Sequence, residues 1–378
     1  MNRKNPLSAA SYTDVSDAQQ LALLNRQLAY AAAHSAYYRE ALGAFSALSA
    51  LDGLSALPMM SEQTIKTQGS RLSCVSAASV ARIVSLTSSG TTAEPKRLFF
   101  TEGDLARTVD FFREGMRRMT EPGDRVGIFF PGTAPDGLND LLSRGLAAFG
   151  AVPTVYGAVT DAARMAERLR NDPPEVLVGM PWQMRALSIF MPKLRPRAVL
   201  LSADAVPETL RRFLRERWQC PVLTHYGLTE SGYGLAVQHP GADGMYYRRS
   251  DFILEIIDPA SGLPLPFGAV GELVLTTLRR EAMPLVRYRT GDLAVMPDKN
   301  TIARVPGRIG IADDVYQKQE ILAPLPWLVD YAVRGSQLLV NLTEDAPRDC
   351  ETRLRALAGE RTVLCQLSGT MLQSGKRR

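Results

Sequence analysis

From residue 80 to residue 226, short apolar runs are separated by stretches with helical spacing, and few folds accommodate that alternation. ARIVSLTSS, beginning at Ala81, alternates and is rich in β-branched residues, and LFFT follows as a second short strand. RVGIFFP, VPTVYG, EVLVGMP, RAVLLSA and CPVLTHYG come next, with helical spacing over residues 102–119, 138–149 and 160–171 and between the later runs. Runs this uniformly apolar suit strands covered on both faces, so parallel α/β layers are expected.

The flanks differ. Residues 17–43 have the spacing of one helix, with Leu21, Leu24 and Leu28 on one face and Asp17 as its cap. Residues 44–68 are interrupted by Gly53 and Pro58. After Gly244, FILEIIDPASGLPLPFGAVGELVLTTL reads as strand, turn, strand and predicts an antiparallel region. The expected class is α/β. A large N-terminal domain of layered sheets and helices covers residues 1–306, with an antiparallel β subdomain at about 244–306. A small, shortened C-terminal α/β lobe covers residues 307–378.

Composition narrows the chemistry. With 44 Lys and Arg against 39 Asp and Glu, a formal charge of +5 over 378 residues gives no footprint for nucleic acid. Four cysteines without C-x-x-C spacing and three histidines argue against a zinc site or a disulfide framework. No apolar run is long enough to span a membrane, and the opening residues lack the pattern of a signal peptide, so a cytoplasmic chain is expected.

Neither G-x-x-x-x-G-K-[ST] nor G-x-G-x-x-G occurs. Another kind of phosphate binder does. Thr87 to Lys96, TSSGTTAEPK, gathers hydroxyls, a glycine and a lysine after a strand, and all of these can donate to an anion. Tyr226-Gly227-Leu228-Thr229-Glu230 offers a ring to stack, a hydroxyl and a hard oxygen ligand. Arg287-Tyr288-Arg289-Thr290-Gly291-Asp292 places an acceptor after a glycine turn, suited to paired hydroxyls. Gly307-Arg308 and Ser374-Gly375-Lys376 carry little signal alone. Each segment by itself is equally an ordinary polar turn or solvated tail.

Taken in order, SSGTT…PK, YGLTE, RYRTGD and GR resemble the adenylate-forming superfamily of acyl-CoA synthetases, peptide-synthetase adenylation domains and luciferases. PLVRYRTGD, the helix-rich opening and the modest length resemble its phenylacetate-CoA ligase-like branch, over about Leu51 to Lys376. The resemblance implies ATP-dependent activation of a carboxylic acid to an acyl-adenylate, then thioester formation with CoA. It implies ATP, Mg²⁺ and CoA as cofactors. Ser88, Ser89, Gly90, Thr91, Thr92 and Lys96 would contact the β- and γ-phosphates. Tyr226 and Gly227 would stack on adenine, with Ser202, Ala203 and Asp204 of LLSADAVPETL along its edge. Thr229 would meet the α-phosphate, Glu230 the metal, Asp292 the ribose, and Arg308 ribose or phosphate. Lys376 would be the catalytic lysine that bridges acyl carboxylate and α-phosphate.

The chain also departs from the family. Glu94 adds a negative charge to the phosphate loop, and Gly310 stands where the family has a charged hinge, with Asp313 and Asp314 beyond it. The acyl pocket is expected between residues 129–142 and the residues after Glu230, including Gly232, Tyr233 and Gly234, where the small residues of SGYG would admit an aryl or arylacetic acid. Two other readings stay open: transfer to a carrier protein or other nucleophile, and a silent nucleotide-binding protein. Neither nucleic acid nor membrane is an expected partner, and the sequence does not indicate an oligomeric state.

Overall fold

The computed structural model describes residues 15–43, 46–86, 95–358, 362–373 and 375–376. Ser88, Ser89, Gly90, Thr91 and Thr92 lie outside the described residues. Contacts divide the chain into two units: Met1–Phe111 with Tyr226–Ile309, and Phe112–His225 with Gly310–Arg378.

The first unit opens with helices Asp17–His34 and Ala36–Ala41. One continuous helix was expected here, capped by Asp17. Ser16 is the cap instead, in a reciprocal box with Gln19, and the helix breaks where Ser35 turns extended and caps the next one. Strands Arg82–Leu86 and Lys96–Phe100 pair antiparallel. Helix Glu102–Met116 follows, where Thr101 Oγ1 accepts from the amide of Asp104 at 3.0 Å. The expected antiparallel region is a four-stranded sheet in the order Phe252–Ile257, Val270–Thr277, Tyr288–Val295, Arg304–Arg308. Ala236–Gln238, Met245–Tyr247 and Thr301–Ile302 also pair antiparallel.

The second unit holds parallel strands in the order Val222–Tyr226, Ala198–Leu201, Val176–Gly179, Arg125–Phe129, Val152–Val155. Val176–Gly179 and Ala198–Leu201 are buried at every position, the physical reason these runs read as continuously apolar. Residues 310–378 add helices Asp313–Leu322 and Cys350–Ala358 and a sheet of Leu328–Arg334, Gln337–Leu342 and Thr362–Leu367. They share one apolar core with the parallel layer, in which Trp182, Trp218, Leu322, Leu338 and Leu354 are all buried. Fully buried Arg185 fixes this junction by donating to the carbonyls of Ala323 at 2.8 Å, Leu325 at 2.5 Å and Leu328. Several carbonyl dipoles meet its charge, which offsets desolvation.

No helix among the described residues is long and apolar enough to cross a membrane. The four cysteines, two of them buried, are unpaired by disulfides.

Candidate functional site

Two five-residue segments of the first unit, 226–230 and 288–292, run past one another and are braced at both ends. Tyr226 donates its hydroxyl to Asp292 Oδ2 at 2.8 Å, and Tyr288 donates its own to Glu230 Oε1 at 2.8 Å. Burial, followed by the neighbouring carboxylate, pushes both phenols well above their usual range, so both remain donors.

Lys96 reaches the same Glu230 Oε1 at 2.5 Å and lies 3.5 Å from Glu62 Oε2. Lys96 and Glu230 are 6% and 7% exposed, deep enough that either charge alone would be costly. The backbone carbonyl of Glu230 accepts from Arg280 at 3.2 Å, whose guanidinium lies 4.8 Å from the Phe100 ring centroid. Among the described residues nothing donates to Glu230 Oε2. Gly227 and Thr229, both half-buried, lie between the two braces.

Asp292 is opposed in register by Arg308, whose Nη1 lies 2.5 Å from Oδ1. A carboxylate has about four acceptor sites, so Asp292 keeps capacity for a further pair of hydroxyls. The sequence predicted a glycine turn before this aspartate. The structure has a bulge within the strand: Glu272 pairs with Leu293 but Val274 with Arg289, leaving extra residues around Gly291. Gly291 adopts φ +74°, which a side chain would resist, and its amide donates to Glu272 Oε1 at 3.0 Å. Thr290 completes the bulge by donating to the Leu273 carbonyl at 2.7 Å and accepting from the Asp292 amide at 3.1 Å. Arg287, buried with φ +48°, pairs with Glu255 at 3.0 Å and donates to the carbonyls of Ser55 and Leu57. Its role is to hold segment 55–57 against the sheet.

Gly232 and Gly234 sit where a side chain would collide with residues of helix Glu102–Met116. A Cβ on Gly234 would sit 2.3 Å from Phe111, and one on Gly232 2.8 Å from Thr108 Oγ1. These glycines let the turn close on helix Glu102–Met116.

In the second unit, Ser202, Ala203 and Asp204 follow strand Ala198–Leu201. Ser202 Oγ lies 2.7 Å from His225 Nδ1, and Asp204 Oδ1 accepts from the amide of Ala205 at 2.9 Å. Ala203 holds φ +70°, which costs about 1–2 kcal/mol for a residue with a Cβ and fixes the direction of the chain beyond the sheet. Burial brings the His225 imidazole down to about 4, so the ring is neutral at pH 7. Lys376 is exposed, and its carbonyl accepts from Gln373 Nε2 at 2.5 Å.

The structure therefore brings Lys96, Tyr226, Glu230, Asp292 and Arg308 into one linked set. Sequence reasoning did not single out Tyr288, Glu62, Arg280 or His225. Tyr288 stood inside a recognised motif, but nothing local marks a buried tyrosine as the partner of a glutamate 58 residues away.

No cluster of three or more His, Cys, Asp or Glu side chains suited to a metal occurs among the described residues. One carboxylate with a spare oxygen is a donor set that fits Mg²⁺, which takes one or two protein oxygens and completes its shell with phosphate and water.

Residues 62–277 match the model of the AMP-binding enzyme family. The chain is 31% identical over 247 residues to the phenylacetate-coenzyme A ligase of Pseudomonas putida, covering 60% of this chain and 54% of that one. It is 29% identical over 243 residues to the Escherichia coli K12 protein of the same name, covering 60% and 55%. The chain thus spans about half the length of the curated relatives it matches. Among solved structures, 2-hydroxyisobutyryl-CoA ligase in the postadenylation state aligns with a TM-score of 0.79 at 18% identity, over 100% of this chain and 93% of that one. Benzoate CoA ligase from Burkholderia xenovorans LB400 aligns with a TM-score of 0.52 at 17% identity, over 75% and 66%. At these identities the likeness is one of fold.

Proposed function

The chain belongs to the AMP-binding enzyme family, and from that premise we propose that it activates a carboxylic acid with ATP and passes the acyl group to CoA. The observation that carries this reading is the double brace between segments 226–230 and 288–292, with Lys96 and Arg308 joined to it.

In the first step a carboxylate oxygen attacks the α-phosphorus, the bond to the β-phosphate oxygen breaks, and pyrophosphate leaves. In the second, the sulfur of CoA attacks the acyl carbon of the mixed anhydride, and AMP leaves. In-line displacement of this kind needs placement and charge compensation more than a proton-transfer group. Asp292, held by Tyr226 and Arg308, accepts from the ribose hydroxyls, with Arg308 as a second ribose or phosphate contact. Tyr226 and Gly227 take the adenine face, and Ser202, Ala203 and Asp204 its edge. Thr229 donates to the α-phosphate. Lys96, with Ser88, Ser89, Gly90, Thr91 and Thr92, binds the β- and γ-phosphates. Lys376 is the cation that offsets the two anions brought together. Glu230 would hold Mg²⁺ through Oε2, and the ion, when bound, compensates charge on the pyrophosphate.

An aryl or arylacetic acid is the preferred substrate class, supported by the similarity to phenylacetate-coenzyme A ligases. The test is a panel of carboxylic acids, phenylacetate included, assayed for pyrophosphate release with and without CoA. The reading expects acid-dependent release that continues only with CoA. Continued release without it points to another acceptor, and no acid-dependent release at all overturns the proposal.

A further inference from the structure

Within the second unit, five consecutive residues ahead of Lys376 are each tied to fixed structure. The Gly369 carbonyl accepts from the amide of Ala162 at 2.8 Å, and a Cβ on Gly369 would lie 2.6 Å from that of Ala163. Thr370 bridges to Asp161, with its hydroxyl 3.2 Å from Oδ2. The amide of Met371 donates to the Thr160 carbonyl at 2.8 Å, and the Met371 side chain is buried in the shared core. The successive amides of Leu372 and Gln373 then donate to one oxygen, Asp330 Oδ2, at 2.6 and 3.1 Å.

Asp330 and its register partner Asn341 are both fully buried. Asn341 donates through Nδ2 to the Thr370 carbonyl, and its Oδ1 accepts from Gln366 at 2.7 Å. Two polar side chains, side by side on neighbouring strands of a core sheet, thus hold the same terminal segment. A buried carboxylate is costly to keep. Its oxygen on two consecutive amides sets the direction of the chain at that point, as an anion does in a backbone nest. Lys376 is three residues beyond Gln373, which limits the excursion of its Cα to roughly 10 Å.

We propose that Asp330, assisted by Asn341, is a positioning residue that presents Lys376 for the adenylation step. The proposal rests on the reading of Lys376 given above. Asp330 touches no reacting atom. It acts by fixing residues 372–373, so its effect on rate must pass through the lysine.

The experiment compares the full chain with Asp330→Ala, Asp330→Asn, Lys376→Ala and the double variant Asp330→Ala/Lys376→Ala. The readouts are acid-dependent pyrophosphate release, with the most active acid of the panel, and equilibrium binding of ATP. Misplacing the lysine should lower kcat by roughly 10- to 100-fold in Asp330→Ala, with ATP affinity changed by less than about twofold. Asp330→Asn, which keeps an acceptor oxygen, should recover part of the loss. The double variant should be no slower than Lys376→Ala alone, the mark of two residues acting through one. Hydrogen exchange at the amides of Leu372 and Gln373 should quicken in Asp330→Ala.

Losses that multiply in the double variant, or a full rate in Asp330→Ala despite quickened exchange, would overturn the proposal. If Asp330→Ala does not fold, Asp330→Asn in both backgrounds supplies the same comparison. A full rate in Lys376→Ala removes the reading beneath it. Loss there without loss in the folded Asp330 variants removes the positioning role alone.

Discussion

Around Glu230 side chains hold side chains, whereas ahead of Lys376 side chains hold backbone. In the first region Lys96 and Tyr288 meet on one buried carboxylate oxygen, and Tyr226 and Arg308 hold Asp292. In the second, Asp330, Asn341 and Asp161 take backbone and hydroxyl groups of residues 370–373, while Lys376 itself is exposed. The first arrangement makes charge part of the folded core, so stability and chemistry are coupled there. The second separates them along the chain, because the contacts that tie the segment fall on residues 370–373, ahead of the exposed lysine.

Lys96→Met tests the coupled side and should have the largest effect. It leaves Glu230 buried with one partner fewer, and breaking such a pair costs about 3 kcal/mol of unfolding free energy. Denaturant titration should show that loss together with loss of pyrophosphate release. Lys376→Ala tests the separated side. Release should fall roughly 100-fold, a little under 3 kcal/mol in barrier, with the denaturation midpoint essentially unmoved.

His225 provides a pH test of the second unit. Its folded value, about 4, lies below the ordinary 6.5, so the unfolded chain takes up the proton first. Stability is then complete above pH 6.5 and is lost as pH falls from 6.5 towards 4. Between pH 7 and pH 5 this group should cost about 2 kcal/mol, measured as the difference in denaturation between the unaltered chain and His225→Asn. The smallest effect is expected for Tyr288→Phe, which removes one hydrogen bond to Glu230 and costs about 1 kcal/mol, with Lys96 still in place. A fall as large as that of Lys96→Met would place the tyrosine, not the lysine, at the centre of the brace.

The parallel layer could be read from the sequence because burial on both faces writes itself as unbroken apolar runs such as VLVG and AVLL. The Glu230 and Asp292 motifs could be read because each is contiguous. Features that depend on distant partners could not. Ser35 breaks an alanine-rich helix because its extended backbone and hydroxyl cap the next one. The glycine before Asp292 serves a bulge, and its signal in sequence is the same as that of a turn. Gly232 and Gly234 leave room for Thr108 and Phe111, more than a hundred residues earlier in the chain. Asp330 gives no local sign at all, since its two amide donors come 42 and 43 residues later.

Whether the braced segments serve attack at the α-phosphorus can be settled by giving the full chain ATP labelled at the α-phosphate, a labelled acid and no CoA, then quenching and separating the products. The account predicts one species carrying both labels, formed in step with pyrophosphate and missing in Asp292→Ala. Labelled ADP in place of that species, with orthophosphate released, would contradict it.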